Sequence, residues 1–299
     1  MDLPSLRTFV AVVETGSFTA AGRRRRVSQS AVSQQIRGLE EACATRLFTR
    51  HARKVTLTQA GNVLVPYAKQ ILSKADEALA VVSDFEGMGR GRVAIAAGGA
   101  LCLHILPQLL EEFSARFGKI EIKVVSGFSP EILRLTLEGT ADVGLTPLPV
   151  DDTELVTTEL GIDELFAIAP AGHPWMRLER VRAKDFANQR LVAYDRDSQT
   201  FKLLERFLLE GGIFPQISMD INDLEAVKRM VEAGLGVSIV AGWVVREQIN
   251  NETLVVKPLA PKRVYRQWGL VRRAGETPTA SQKGFVSICK TRFPGLVGS

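Results

Sequence analysis

Residues 28–40 read SQSAVSQQIRGLE and carry two faces at helical spacing. Val32, Ile36, Leu39 and then Cys43 step by 4, 3 and 4, which predicts one buried stripe. Ser30, Ser33, Gln34 and Arg37 step by 3, 1 and 3 on a different face, with no acidic residue before Glu40. Hydroxyls, an amide and a guanidinium can hydrogen-bond to base edges and phosphates. Upstream, Leu3, Leu6, Phe9, Val10 and Val13 mark a first helix, which Gly16 can end in the left-handed conformation. Ser17 is a suitable N-cap for a short second helix through Phe18, Ala20 and Ala21, and Ser28 for the third. Two short helices, a turn and a polar-faced third helix make a helix-turn-helix pattern. On this pattern alone, the solvated face of any small bundle serves equally well.

The following segment favours the first reading. Leu47-Phe48-Thr49 and Val55-Thr56-Leu57 flank Arg50-His51-Ala52-Arg53-Lys54, two β-prone runs around a basic tip. An arginine on such a wing can enter the minor groove, where the potential is most negative. Charge is distributed accordingly. The chain of 299 residues has a formal net charge of +5, but residues 1–60 hold 10 basic and 4 acidic side chains, against 28 and 29 in the remainder. A basic head on a neutral body suggests an anion-binding module joined to a part with another task. The composition, 45% apolar and 24% charged, is that of a globular protein and excludes disordered and collagen-like chains.

Taken together, Leu6, Phe9, Ala20-Ala21, Ser28-Gln29-Ser30-Ala31-Val32-Ser33, Ile36, Leu39-Glu40, Leu47-Phe48, Arg50 and Leu57-Thr58-Gln59-Ala60-Gly61 resemble the N-terminal pattern of LysR-type transcriptional regulators. The resemblance implies that Gln29, Ser30, Ser33, Gln34 and Arg37 face the major groove. It implies that Arg53 approaches the minor groove, with Ser28, Arg50 and Lys54 nearby. Residues 23–26 are four consecutive arginines, and the family usually has an apolar residue where Arg25 sits. We read Arg25 as laying its aliphatic stem over the core, and Arg23, Arg24 and Arg26 as phosphate contacts.

Thr58 is a suitable N-cap for a long helix to about Met88. Leu64, Ala68, Ile71, Ala75, Ala78, Val82 and Phe85 alternate spacings of 4 and 3 along it, an a/d seam that suggests pairing of two chains. Pro66 should bend its first turns. The family uses this helix for dimerisation; packing against the chain's own C-terminal part is the alternative. Gly87, Gly89 and Gly91 then suggest a hinge.

From Arg92 the pattern alternates strand and helix, which predicts α/β units with largely parallel sheets. Strands are expected at residues 93–97, 120–125, 141–145, 165–169, 191–194, 217–221 and 237–240. Helices are expected at 103–117, 131–138, 201–209, 224–233 and 243–249. Residues 93–110 carry no charge, but Gly98-Gly99, His104, Pro107 and Gln108 argue against a membrane span. The resemblance extends loosely over this part, through residues 231–237 and the His173-Pro174 turn. It implies an α+β multidomain protein: a winged helix-turn-helix head (1–57), a dimerisation helix (58–88), a hinge (89–91) and an effector domain like a periplasmic solute-binding protein. That domain would have one subdomain of residues 92–162 and 269–299 and another of residues 163–268. A small-molecule effector would sit between them, at strand ends and helix starts. Candidate lining residues are Gly98, Gly99, Ala100, Phe128, Ser129, Thr146, Thr200, Phe201 and Asn222. Many relatives have Ser or Thr near Gly99, so its absence argues against hydroxyl-assisted carboxylate binding there.

Other chemistry has little support. Cys43, Cys102 and Cys289 form neither a disulfide framework nor a zinc spacing. Such cysteines fit a reducing cytoplasm, and no secretory signal is visible at Met1-Asp2. No nucleophile elbow or phosphate-binding loop accompanies His51, His104 or His173, so neither a catalytic residue nor a metal or cofactor is expected. The expected partners are double-stranded promoter DNA, a small-molecule effector, further copies of the chain in a homodimer or homotetramer, and RNA polymerase. A solute-binding module without a transcriptional role is the alternative function.

Overall fold

The computed structural model describes residues 1–51, 54–85 and 91–298; the side chains of residues 50, 51, 54, 73, 76, 77 and 79–85 are outside that description. The chain forms two compact units, Met1–Met88 with Glu138–Thr140, and Gly89–Leu137 with Ala141–Ser299. No helix among the described residues is long and apolar enough to cross a membrane.

The first unit opens with α1 (Leu3–Thr15), capped by the Asp2 carboxylate, which accepts the Ser5 N–H at 2.7 Å. Gly16 ends it at φ 63°, donating to the Val12 carbonyl. Ser17 caps α2 (Phe18–Arg25) and Ser28 caps α3 (Gln29–Ala42), each accepting the N–H three residues on. The stripe expected on α3 is buried: Val32, Ile36 and Leu39 are fully enclosed, while Cys43 is half-buried. They pack with Leu6, Phe9, Val12, Ala21 and Leu47 in one core. The Phe9, Phe18 and Phe48 rings meet there, with centroids 5.4 and 5.8 Å apart.

The wing is an antiparallel pair, β1 (Phe48–His51) and β2 (Lys54–Leu57). Glu40 reaches from α3 to its start and accepts the N–H groups of Leu47 (2.8 Å) and Phe48 (3.3 Å). Thr58 then joins wing and connector: its hydroxyl donates to the Arg46 carbonyl and accepts the Gly61 N–H. Gly61 is obligatory, since a Cβ there would lie 2.2 Å from the Leu47 carbonyl oxygen.

The connector α4 (Gln59–Phe85) continues through Pro66. Its apolar positions divide in a way that the single seam did not anticipate. Leu64 and Ala68, with Val65 and Leu72, pack into the core of the head. Ile71 is 38% exposed, Ala75 half-buried and Ala78 exposed. The Val82 and Phe85 side chains lie outside the description, as do Gly87 and Gly89 of the expected hinge. Gly91 begins a strand. The exposed apolar stripe is instead Val63, Tyr67 and Ile71, spaced at i, i+4 and i+8.

The second unit has two lobes joined by two long strands. In the first lobe, β3 (Gly91–Ala97), β4 (Ile120–Ser126) and β5 (Val143–Pro147) are parallel. They alternate with α5 (Gly99–His104), α6 (Leu106–Arg116) and α7 (Ser129–Leu137). The single helix expected at 103–117 is two helices. Pro107, in the first turn of α6, has no N–H to continue the α5 ladder. β6 (Leu155–Pro170) runs 16 residues, where only 165–169 was expected. The second lobe carries a short β7 (Val181–Arg182), the parallel pair β8 (Leu191–Tyr194) and β9 (Ile217–Ile221), and β10 (Ser238–Ala241). Its helices are α8 (Gln199–Glu210), α9 (Leu224–Glu232) and α10 (Arg246–Asn250). β11 (Leu254–Ala260) and β12 (Val264–Arg273) return the chain to the first lobe, where α11 (Ala280–Val297) closes it.

The strand order is β4-β3-β5-β12-β6-β11-β7, with β10 also paired to β6. The largely parallel sheet expected from the sequence is therefore mixed. β12 is antiparallel to both β5 and β6, and β10 and β11 are antiparallel to β6. The last two strands decide this: both run antiparallel to β6, and β12 inserts between β5 and β6.

Candidate functional site

Two places gather the expected functional residues. The first is the outer face of α3. Gln29, Ser30, Gln34 and Arg37 are exposed and Ser33 is half-buried. The Gln29 amide donates to the Ser33 hydroxyl at 3.1 Å, and the Ser28 and Ser30 hydroxyls are 2.8 Å apart. On the neighbouring face, the Gln35 side-chain carbonyl accepts the buried Thr8 hydroxyl at 2.5 Å, tying α3 to α1. The enclosed Val32, Ile36 and Leu39 stripe sets the rotation of α3, and hence the direction of the polar face.

The four arginines have separate environments. Arg23, Arg24 and Arg26 are exposed. Arg24 pairs with Glu14 at 2.7 Å, and Arg26 ends α2 at φ 56°. Arg25 is half-buried, with its Nε enclosed and without a hydrogen-bond partner. Arg50 and Lys54 belong to the wing strands, but their side chains, and Arg53 entirely, lie outside the described residues.

The second place is a cleft between the lobes of the second unit, a hollow of about 620 Å³ including its mouth. Gly98, Ala100, Phe128, Ser129 and Thr200 line it. An adjoining outer hollow is lined by Gly99 and Asn222, and shares Ala100 and Phe128. Thr146 and Phe201 line neither. Thr146 is fully buried in β5, and Phe201 packs into the main core from α8.

The sequence reading passed over several residues that shape this cleft, namely Tyr194, Asp195, Asp197, Trp243, Arg266 and Trp268. Asp163 organises the cleft floor from the middle of β6, with its side chain fully enclosed. It accepts Nε and Nη2 of Arg266 at 3.2 and 2.5 Å, and the indole N–H groups of Trp243 and Trp268 at 2.8 and 2.9 Å. Arg266 also donates to the Thr200 hydroxyl at 2.5 Å and lies over the Trp268 ring at 4.5 Å. The floor is thus a charge pair whose members satisfy each other. No local signal marks the pair: Asp163 adjoins Glu164, and its partner Arg266 lies 103 positions away.

A second polar chain bridges the lobes beside the outer hollow. His104 on α5 meets Glu225 on α9 at 2.8 Å, and Glu225 meets Lys228 at 2.8 Å. Lys228 is 1% exposed and also donates to the Val244 carbonyl. Burial pushes the Glu225 carboxyl up, but hydrogen bonds from Lys228 and His104 outweigh it and hold the group below the usual carboxylate range. Burial, and next the Asp195 charge, raise the Tyr194 hydroxyl.

Comparison with known proteins is consistent over the whole chain. Residues 3–62 match the model of the bacterial regulatory helix-turn-helix protein of the lysR family, and residues 86–294 that of the LysR substrate binding domain. A probable RuBisCO transcriptional regulator of Cyanidioschyzon merolae is 30% identical over 259 residues, covering 83% of this chain and 86% of that protein. The HTH-type transcriptional regulator CysL of Bacillus subtilis is 26% identical and covers 96% of both chains. Among solved structures, a full-length OxyR variant from Pseudomonas aeruginosa superposes with a TM-score of 0.77 at 19% identity, covering 99% of this chain and 96% of that one. The full-length regulator CbnR in complex with its target DNA gives 0.71 at 21% identity, covering 97% and 99%. A head with an exposed polar recognition helix, followed by a two-lobed domain around a cleft, thus places the chain in the LysR family of transcriptional regulators, with an N-terminal DNA-binding helix-turn-helix and a C-terminal substrate-binding domain.

Proposed function

We propose that this regulator works as an oligomer on partly palindromic promoter DNA, and that a small molecule in the interlobe cleft controls it. The observation that carries the reading is the division of α3. One stripe is fully enclosed, while Gln29, Ser30, Gln34 and Arg37 stand in solvent on a helix that the Thr8–Gln35 bond also ties to α1. In this reading Gln34 and Arg37 contact base edges, and Arg23 and Arg26 contact phosphates. Arg53 enters the minor groove from the wing. The exposed Val63–Tyr67–Ile71 stripe of α4 pairs with a second copy, so that two recognition helices meet two half-sites. The domain limits are those of the head at 1–57, the connector at 58–88 and the effector module beyond 91. The chain acts by binding rather than turnover, in the cytoplasm.

A band-shift titration on DNA from upstream of its gene tests this. The specific complex should weaken steeply with salt, as each neutralised phosphate adds about 0.9 to the log–log slope. Gln34→Ala should cost about 1–3 kcal/mol on the best site and less on single-base variants of it, so that base preference relaxes. Unchanged preference would show that Gln34 does not read a base.

A further inference from the structure

The cleft's charges are one-sided, and this bears on the class of effector; the inference rests on the cleft being the effector site, as proposed above. Arg266 is the only cation among the described residues that line the cleft and its outer hollow. Its charge is met by the enclosed carboxylate of Asp163, and its third donor group by Thr200. The Ser198 hydroxyl is also engaged. Ser198 caps α8, accepting the Phe201 N–H at 3.0 Å, and donates to the Tyr194 carbonyl at 3.0 Å. Positions 98–100 carry only hydrogens and a methyl group. An anion entering the cleft therefore finds no cation that is not already paired.

Carboxylates are the opposite case. Of those lining the two hollows, Glu225 is held by Lys228 and His104, Glu131 lies 3.6 Å from Arg134, and Asp223 caps α9. Asp195 and Asp197 line the cleft itself and have no ion pair among the described residues. Their turn is a built one. Asp195 stands at φ 37°, donates its N–H to the Ile221 carbonyl, and accepts the Asp197 N–H on its side chain at 3.2 Å. At the same wall, burial first and the Asp195 charge next raise the Tyr194 hydroxyl, while the Arg266 charge lowers it. The remaining lining is mostly apolar, with Leu101, Phe128, Leu145, Leu224, Trp243 and Trp268 beside the polar Ser129, Gln199 and Thr200.

We propose that the cleft takes a small molecule with an apolar body and a cationic group, that Asp195 and Asp197 receive the cation, and that the cleft discriminates against anions. The apolar wall supplies most of the affinity through buried area, and the two part-exposed carboxylates supply the sign preference.

Three probes of one shape test the proposal on the full-length protein: 3-phenylpropylamine, 3-phenylpropan-1-ol and 3-phenylpropanoate, at equal concentration and constant ionic strength. Binding to the native state raises the melting temperature, and its concentration dependence gives the affinity. The amine should bind about tenfold more tightly than the carboxylate, with the alcohol between them. In the double variant Asp195→Asn, Asp197→Asn, the amine should fall to the level of the alcohol while the alcohol is unchanged. Asparagine keeps the turn acceptor and tolerates the positive φ, so the unliganded melting temperature should stay close to that of the parent. A carboxylate that binds as well as the amine, or an amine preference that survives the double substitution, overturns the charge assignment and leaves the cleft as the effector site. Absence of stabilisation by all three overturns both readings.

Discussion

Arg24 and Arg25 leave the run of four arginines by different routes. Arg24 turns back to Glu14, while Arg25 is half-buried with its Nε enclosed. Arg23 and Arg26 remain as exposed cations beside the recognition helix. Replacing either with alanine should lower the salt slope of DNA binding by about 0.9, whereas Arg24→Ala should change it less. Equal slopes for all three variants in a salt titration would contradict that division. Asp163 shows the other use of charge. It is enclosed with Arg266 and answers two indoles as well, so Asp163→Asn leaves a buried guanidinium without its counter-charge. We expect a loss of about 3–5 kcal/mol in chemical denaturation. Neither role was visible locally. A run of arginines looks uniform in sequence, and Asp163 and Arg266 are 103 positions apart.

The short helices of the head were legible because their signals are local. The caps at Ser17 and Ser28, the left-handed Gly16 and the stripe through Val32, Ile36 and Leu39 all act within one or two turns. Ser28→Ala should therefore destabilise the full-length protein by about 1 kcal/mol, and Ser28→Thr should restore most of it. Paired thermal melts would check this; a fully stable Ser28→Ala variant would mean that α3 does not depend on its cap. The connector was half legible. Its heptad spacing was real, but the positions along it meet different surroundings. Leu64 and Ala68 were taken by the head's core, which turned Val63, Tyr67 and Ile71 outward. Periodicity identifies an apolar face and not what covers it. The long β6 was underestimated for a similar reason. Its outer half alternates with polar residues and reads as a loop until β12 pairs along it from Leu155 to Leu165.

In the function proposed above, that outward stripe holds the oligomer together. Tyr67→Glu with Ile71→Glu should leave the head folded, since both side chains are exposed, yet lower the oligomer in sedimentation and weaken DNA binding in parallel. A variant that keeps its oligomer would move the interface elsewhere. The basic head, the recognition face and the family were all written in the first sixty residues, because a helix-turn-helix is built from contacts close in sequence. The alternation of strands and helices likewise indicated α/β units, and the family resemblance implied their two lobes. Tertiary structure alone decided the mixed sheet, because its antiparallel pairs are made by β10, β11 and β12, which return from far along the chain to β5 and β6. It alone decided which residues form the cleft. Thr146 and Phe201, at the expected strand end and helix start, turn into the interior, while Asp195, Asp197, Trp243 and Arg266 converge from distant segments. The charge of the cleft is likewise a tertiary fact: whether Arg266 can meet a ligand depends on Asp163 lying against it, a pairing made only when β12 folds back along β6.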